Sequence, residues 1–467
     1  MLHLQQGSQN EEGERPPSSQ STLAVAVAAP VSAAAAAAGS RSCETRQIND
    51  FTSKIFKKSS SSSFSESKAA SLPLSVGPLP SFLGRTLVML DNTSLADVIC
   101  WSEDGKSFKI KRLEVCESEV LPRYFPDHGS LLSFVRQLQD SEKARRLVDL
   151  VTTSVLLDAG AGDVWKYTEK STGFEAGRSE GLGVASFHMF GAGAFSSDPG
   201  SAPHRADSIG LKGLADDSVR TAFQVDDDAN PLVGCDGRTQ VLKRLGTALE
   251  QHPEFFETEG VFRPGNMVDY LVAQADADTK TVSITKVWEV VMYGFEAMWP
   301  AGRTELDGRS MGDVWEHSAL PDDGSGWSTL IPFHKLSQWM TYSLMEPLQQ
   351  AAGLVLTDTE LMTGLPEYRN GGLLLDMGLL EAKHAGVTGE AHRPEEEVIV
   401  EWRALTVCLL DEIAAALRKK LGKTEEEFPL VKMLEGGTWK AGRYMAKMLR
   451  PQTCGPPIQI VSDGTVF

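Results

Sequence analysis

Between Ser130 and Gly160 the chain reads SLLSFVRQLQDSEKARRLVDLVTTSVLLDAG, with neither Gly nor Pro until its end. Apolar residues return at helical spacing, first Leu131, Leu132, Val135 and Leu138, then Ala144, Leu147, Val148 and Val151. This pattern predicts one long helix, stopped by Gly160 and Gly162. Ahead of it, PSFLGRTLVML predicts a helix started by Pro80 and Ser81. VICWSEDGKSFKI predicts a hairpin turning at Glu103-Asp104-Gly105. EVCESEVLPRYF predicts a second helix, and Pro126 to Gly129 a turn. Helix, hairpin, helix, turn, helix is the order of a winged helix-turn-helix, whose last helix enters the major groove. Downstream, helices are predicted over Ser179–Phe190, Ser208–Phe223, Gly237–His252, Ser283–Trp299, Pro332–Ala352, Trp402–Leu421 and Pro429–Leu449. Short β-like runs at Leu373–Asp376, Val398–Glu401 and Ile458–Val461 are the exceptions. The fold class expected is therefore mainly α, with a few short strands, and the seam between a small module and a large domain falls inside one helix.

Composition adds a third region. Residues 1–74 contain a Gln/Glu/Ser/Pro start, an Ala run at Ala33–Ala38 and a Ser run at Ser59–Ser63. Such a segment cannot bury enough apolar surface to offset its chain entropy, so a disordered tail is expected. The net charge of −18 argues against a dedicated polyanion binder. Cys43, Cys100, Cys116, Cys235, Cys408 and Cys454 lie without ligand-like spacing, and the nine His form no metal-binding cluster. Reduced thiols, no bound metal and no cofactor are the expectation. No apolar run approaches the ~20 residues of a membrane span, and the Ala-rich Leu23–Ala38 stretch follows Glu11, Glu12 and Glu14 instead of a basic start. A nuclear or cytoplasmic protein, neither secreted nor membrane-bound, is expected.

The candidate chemistry lies in polar residues set into apolar helices and their ends. No GxGxxG after a strand, no Walker loop and no GxSxG occurs. Instead VLLDAGAGDVWKY places Asp158 at a helix end before small residues that admit a close ligand. GRSEGL places Arg178, Ser179 and Glu180 at a helix start, where free N–H groups suit an anion. PFHKLSQW puts His334, Lys335 and Gln338 in one helix, with His334 and Gln338 sharing a face. LPEYRNGGLLLD holds Glu367, Tyr368, Arg369 and Asn370 in a turn before a strand-like run, and VEWRAL sets Glu401, Trp402 and Arg403 just before a helix. Charges in apolar surroundings are costly unless paired, so their convergence on one polar pocket is the expectation.

Two resemblances sharpen this reading. FLGRTLVMLDN, VICWSEDGKSF, EVLPRYF and SLLSFVRQL resemble successive blocks of the heat-shock factor DNA-binding domain. That likeness implies a module over residues 79–139 that binds DNA at inverted GAA repeats, with Arg136 on a guanine edge and Ser133 and Gln137 beside it. The family continues beyond this block into two further strands and a wing; here Leu138 is followed by QDSEKARRLV, so the module is truncated. Its acids Asp91, Asp97, Glu103, Asp104, Glu114, Glu117, Glu119 and Asp127 outnumber its bases Arg85, Lys106, Lys109, Lys111, Arg112, Arg123 and Arg136, which weakens phosphate attraction.

From Asp140 to Phe467, GRSEGLGVASFHMFGAGAFSSDP, NPLVGCDGRTQVLKRLG, PFHKLSQWMTYSLMEPL, MTGLPEYRNGGLLLD and VEWRALTVCLLDEI resemble the uracil-catabolism protein 4 family of fungi and bacteria. FHKLSQ, PEYR and VEWRA are in turn similar to motifs of the queuosine-nucleotide N-glycosidases, with Glu367 where those have a catalytic aspartate. The resemblance implies a hydrolase of an N-ribosyl bond, acting on ribosylurea or its phosphate and releasing urea. Glu367, Glu401 and Asp158 would then be the catalytic carboxylates. Arg178, Glu180, His334, Lys335, Gln338, Tyr368, Arg369, Trp402 and Arg403 would bind the substrate. The rival expectation is a DNA-binding regulator whose C-terminal domain senses a pyrimidine metabolite.

Overall fold

The predicted long helix is the spine of the large domain: α1 spans Leu131–Leu157. The protein is seen here in a computed structural model that describes residues 2–4, 86, 89–101, 108–112, 115–125, 131–158, 160–162, 164–299 and 303–461. Within α1, Ala144, Val148, Val151 and Val155 are buried at successive helical turns. Each fully buried Val contributes roughly 1.5–3 kcal/mol relative to an exposed one. The opposite side of α1 is also covered, because Asp149, Thr152 and Thr153 are inaccessible to solvent. Asp149 justifies its burial by tying distant loops to the spine. It accepts the Gly265 N–H at 2.7 Å, the Ala206 N–H at 3.1 Å and Arg263 Nε at 2.8 Å. Gly265 is required there, since a Cβ would sit 2.4 Å from the Arg145 carbonyl oxygen.

Around α1 pack α2 (Arg178–Gly191), α3 (Cys235–Gln251), α4 (Met267–Gln274), α5 (Ile284–Gly294) and α6 (Lys335–Gln350). The second half of the domain is α7 (Tyr368–Asp376), α8 (Glu397–Leu421) and α9 (Lys440–Leu449), with its own core around Leu374, Ile399, Val400, Trp402 and Ile458. Strands are short and paired in twos. Mainly helical architecture with few short strands is as expected from the pattern.

Several elements differ from expectation. Leu373–Asp376 and Val398–Glu401 are helical, inside α7 and α8. The β-branched Val398, Ile399 and Val400 favour strands locally, but Ile399, Val400, Trp402, Arg403, Thr406 and Leu410 are buried along one helical face, and tertiary burial overrides propensity. Ser208–Phe223 is two short helices, Ser208–Lys212 and Ser218–Ala222, divided after Gly213. Pro429–Leu449 is interrupted by a widened turn at Leu434–Trp439 that contains Gly436 and Gly437. Helix α4 was not anticipated. Ile458–Val461 is strand only at Gln459–Ile460, parallel to Ala391–His392.

The N-terminal module forms a separate cluster of Met89, Leu90, Leu95, Val98, Ile99, Cys116, Val120, Leu121, Tyr124 and Phe125. Its hairpin pairs Ile99–Trp101 with Phe108–Ile110, as the sequence predicts. The wing region of a complete winged helix is not represented among these elements. Of residues 1–74 only Leu2–Leu4 are described, as a strand against Leu380–Ala382; the rest of the expected disordered tail lies outside the described residues. The backbone of Ser133, Arg136 and Gln137 belongs to α1, and their side chains lie outside the described ones.

Candidate functional site

Four helix ends meet where the sequence motifs converge: the C-terminal end of α1 and the N-terminal ends of α2, α6 and α7. Asp158, the residue after α1, is 7 % exposed and hydrogen-bonded to the Ser179 side chain on the first turn of α2. Its Oδ2 has no partner and is shut off from solvent. Lys335 opens α6, 9 % exposed, and the field at its ammonium is set first by Glu367 and then by Asp158. Glu367 caps α7: its carboxylate accepts the Arg369 N–H at 2.7 Å and the Asn370 N–H beside it. Tyr368 follows, and feels the charge of Arg178 at the start of α2. Asp158, Lys335, Glu367, Tyr368 and Arg178 thus form a chain of electrostatic neighbours, closed into a ring through Ser179, which follows Arg178 and bonds Asp158.

Burial moves Asp158, Glu367, Tyr368 and Lys335 toward their neutral forms. Desolvation pushes the Asp158 carboxyl up to about 6 and raises that of Glu367 against the pull of its two backbone N–H groups. Desolvation also lowers the Lys335 ammonium, opposed by the attraction of Glu367 and Asp158. Among the described residues Lys335 Nζ has no hydrogen bond and no carboxylate within ion-pairing distance; it lies 5.3 Å from the centre of the Trp339 ring. Strongly shifted groups gathered in one place are the physical mark of a site for chemistry or binding.

Backbone strain concentrates here as well. Arg178 has φ of 53° and His334 φ of 47°, both in the left-handed region that side chains seldom adopt. Each stands immediately at the start of a ring helix. His334 therefore precedes α6 instead of lying within it, and its side chain packs edge-on to Trp288. The expected face shared by His334 and Gln338 does not form in that way: the Gln338 N–H donates to the His334 carbonyl at 2.8 Å, while Gln338 Oε1 accepts from the Thr363 N–H.

The turn expected at Glu367–Asn370 is instead the first turn of α7. Two glycines in succession lower helix propensity and mask the pattern. They are there for packing, since a Cβ on Gly371 would meet Trp402 ring atoms at 2.8 Å. Trp402 lies in the core beneath α7, 1 % exposed, with Nε1 donating to the Gly371 carbonyl at 3.0 Å. Arg369 stacks on Tyr368 and donates to the Cys454 carbonyl at 2.7 Å. Glu180 pairs with Arg443 on α9 at 2.6 Å, half-exposed.

Glu401 and Arg403 sit inside α8, not before it. Residues two apart on a helix point to different sides, so they do not pair with each other. The partner of Arg403 is Asp313, which accepts both guanidinium nitrogens at 2.7 Å. Asp313 was not foreseen, since one acid in SMGDVW has no pattern around it. The only hint was an arginine set in an apolar helix with no acid at helical spacing on its face. Asp313 also accepts the Trp315 indole N–H at 2.7 Å and the Lys335 N–H at 3.0 Å, and its backbone carbonyl accepts the Phe333 and His334 N–H groups. It therefore sets the strained start of α6. Arg238, also unforeseen, holds the other end of the ring, donating to the carbonyls of Leu157, Gly160 and Val233.

The raised Asp158 pKa has a direction for stability. Between the unfolded value of 3.8 and about 6 the folded state binds more protons, so stability falls as pH rises through that window and stays reduced above it. Asp158→Asn should therefore raise the melting temperature at about pH 8 and change it little at about pH 4. Calorimetry at both pH values checks this; a lower melting temperature at the higher pH contradicts it.

No group of three or more metal-ligating side chains occurs among the described residues, and no helix there is long and apolar enough to cross a membrane. By fold and site this is a helical domain organised around buried ionisable side chains at converging helix ends. Comparison with known proteins places it in a family. The chain belongs to the family described as "Protein of unknown function (DUF1688)", which matches residues 127–467 and so takes in all of α1. Uracil catabolism protein 4 of Lachancea kluyveri is 42 % identical over 352 residues, 71 % of this chain and 79 % of that protein. Protein urg3 of Schizosaccharomyces pombe is 40 % identical over 327 residues, 70 % of this chain and 76 % of that protein. A short stretch is similar to heat shock factors: Heat shock factor protein 3 of Gallus gallus is 39 % identical over 61 residues, 13 % of each chain.

Proposed function

We propose that the large domain acts in uracil catabolism by hydrolysing an N-ribosyl bond, in ribosylurea or its phosphate, with release of urea. The name of the Lachancea kluyveri relative supports the pathway. The observation that carries the chemistry is the buried ring, in which Glu367 and Asp158 face an ammonium with no ion-pair partner. Cleavage of the C1′–N bond builds positive charge on the ribose, which the Glu367 carboxylate would stabilise while taking a proton from the attacking water. Asp158, with its carboxyl pushed up to about 6, retains a proton fraction near neutrality and would deliver it to the departing nitrogen. The water oxygen ends on C1′ and its proton balance on urea. Arg178, Arg369 and Tyr368 would border the ribose or its phosphate. Trp402 and Arg403 would support the site from beneath, and Glu401 has no assigned step. The test is incubation of the full chain with ribosylurea and with its phosphate, scoring urea. Release from neither substrate removes the reading.

A second reading is favoured by the heat-shock-factor likeness alone: sequence-specific DNA binding by the N-terminal module, with the large domain as a metabolite sensor. An electrophoretic mobility shift on inverted GAA repeats tests it. If the module works, Arg136→Ala should lose roughly 1–3 kcal/mol of specific binding. Equal shifts by both proteins, or no shift by the parent, contradict a role for Arg136 in reading DNA.

A further inference from the structure

A helix end is an awkward place for a buried acid. The last carbonyls of a helix carry partial negative charge, so they repel a carboxylate where they would attract a cation. Asp158 directly follows the 27-residue α1 and is 7 % exposed, its own N–H donating to the Ser154 carbonyl at 3.0 Å. What meets that negative end is Arg238, on the first turn of α3 and itself 3 % exposed. Its Nε donates to the Leu157 carbonyl at 2.9 Å and its Nη2 to the Gly160 carbonyl at 3.1 Å, so the guanidinium brackets Asp158 along the chain. Its Nη1 donates to the Val233 carbonyl on the facing loop. The two loops are pressed together around it. The Val233 N–H donates to the Ala161 carbonyl at 3.4 Å, and a Cβ on Gly162, where φ is 79°, would sit 2.8 Å from Val233 Cγ2.

We propose that Arg238 is a positioning residue for Asp158: it fixes the end of α1 that presents the carboxyl to Ser179, and its charge offsets the negative helix end. This deepens the hydrolase reading and rests on it only for the step in which Asp158 passes a proton. A guanidinium suits this place better than an ammonium, because its planar fork reaches carbonyls on two loops at once and stays charged when buried. Desolvation lowers Arg238 to about 10, which leaves it cationic at neutral pH. The groups facing Asp158 come from three other elements: Ser179 and Glu180 on α2, Lys335 on α6 and Arg238 on α3. Arg238 in turn faces Asp158 and, on its own helix, Cys235. Of the two cations, Lys335 is shared with Glu367, whereas Arg238 is tied to the chain on either side of Asp158. Without Arg238 the acid would hold its proton to higher pH, and its loop would lose the bonds that set its direction.

The experiment compares Arg238→Gln with Arg238→Lys in the full chain, each alone and combined with Asp158→Asn, by melting temperature at about pH 4 and about pH 8. Neither replacement spans all three carbonyls, so both variants should melt below the parent at both pH values. They differ in charge, and Asp158, pushed up to about 6 by desolvation, is ionised only at the higher pH. The Gln variant should therefore fall below the Lys variant by about 2 °C more at the higher pH than at the lower. In the Asp158→Asn background that extra gap should vanish. An Arg238 of purely structural role would give one gap at both pH values, and that result overturns the inference. An extra gap that persists in the Asp158→Asn background overturns it too. Should Arg238→Gln fail to fold at the higher pH, rescue by Asp158→Asn upholds the inference and failure in both backgrounds overturns it. On ribosylurea or its phosphate, Arg238→Gln should also move the alkaline limb of the kcat profile up by about one pH unit, with Arg238→Lys restoring it; an unmoved limb counts against the inference. The melting comparison involves no substrate. A pH-dependent gap without urea release by the parent therefore keeps the role of Arg238 and removes the hydrolase, while urea release without that gap does the opposite.

Discussion

Glu367→Gln should lose about 10²- to 10⁴-fold in kcat on ribosylurea or its phosphate while KM changes little, the range typical of removing one acid–base group. The substitution keeps the size of the side chain and an oxygen for the α7 cap, so the helix start survives. Replacing the capping acid costs on the order of 1 kcal/mol at most. Burial already raises the Glu367 pKa, so loss of its charge relieves part of that cost. The melting temperature should therefore move little, which separates a chemical role from a structural one. Glu367→Asp keeps the charge one methylene further back and should recover part of the rate. Full activity of the Gln variant would exclude Glu367 as the charge that drives cleavage.

Replacing Asp313 should produce the largest loss of stability. Its carboxylate and the Arg403 guanidinium are both buried and joined through two bonds of 2.7 Å. Removing one partner of a buried pair leaves the other charge uncompensated, a cost of about 3–5 kcal/mol. Asp313→Asn should approach that loss by urea denaturation, and so should Arg403→Met. The double variant should be less destabilised than the sum, because no lone charge remains. Arg403 holds the Asp313 carboxyl at about 2, below its unfolded 3.8. The pair's contribution is therefore complete above about pH 4 and lost as pH falls through about 2. Unchanged stability of Asp313→Asn at neutral pH would show that the pair does not anchor α6.

The sequence showed some of this arrangement and hid the rest for identifiable reasons. The spine was legible because Ala144, Val148 and Val151 keep helical spacing through a stretch free of Gly and Pro. Asp158, Lys335 and Glu367 stood out because ions in apolar company require an account. The starts of α7 and α8 were misread because Gly371 and Gly372 serve close packing and Val398–Val400 favour strands in isolation. Asp313 was invisible because a partner ninety residues away leaves no local trace. The start of α6 was placed three residues early, at Pro332 instead of Lys335, since a left-handed residue other than glycine, here His334, has no signature in the sequence.

The spine also imposes a geometry on whatever precedes it. Leu131–Leu157 is one uninterrupted helix, so the SFVRQL block and the first buried turn of the large domain share a rigid shaft with no swivel between them. Along such a shaft, sequence length is converted into angle. Each residue inserted near Asp140 would turn the SFVRQL block by about 100° and displace it by about 1.5 Å. Four inserted residues overshoot a full turn by about 40°, so the rotational setting nearly returns while that block stands about 6 Å further away. Direction can thus be altered almost independently of distance, and the join behaves as an indexed coupling instead of a tether.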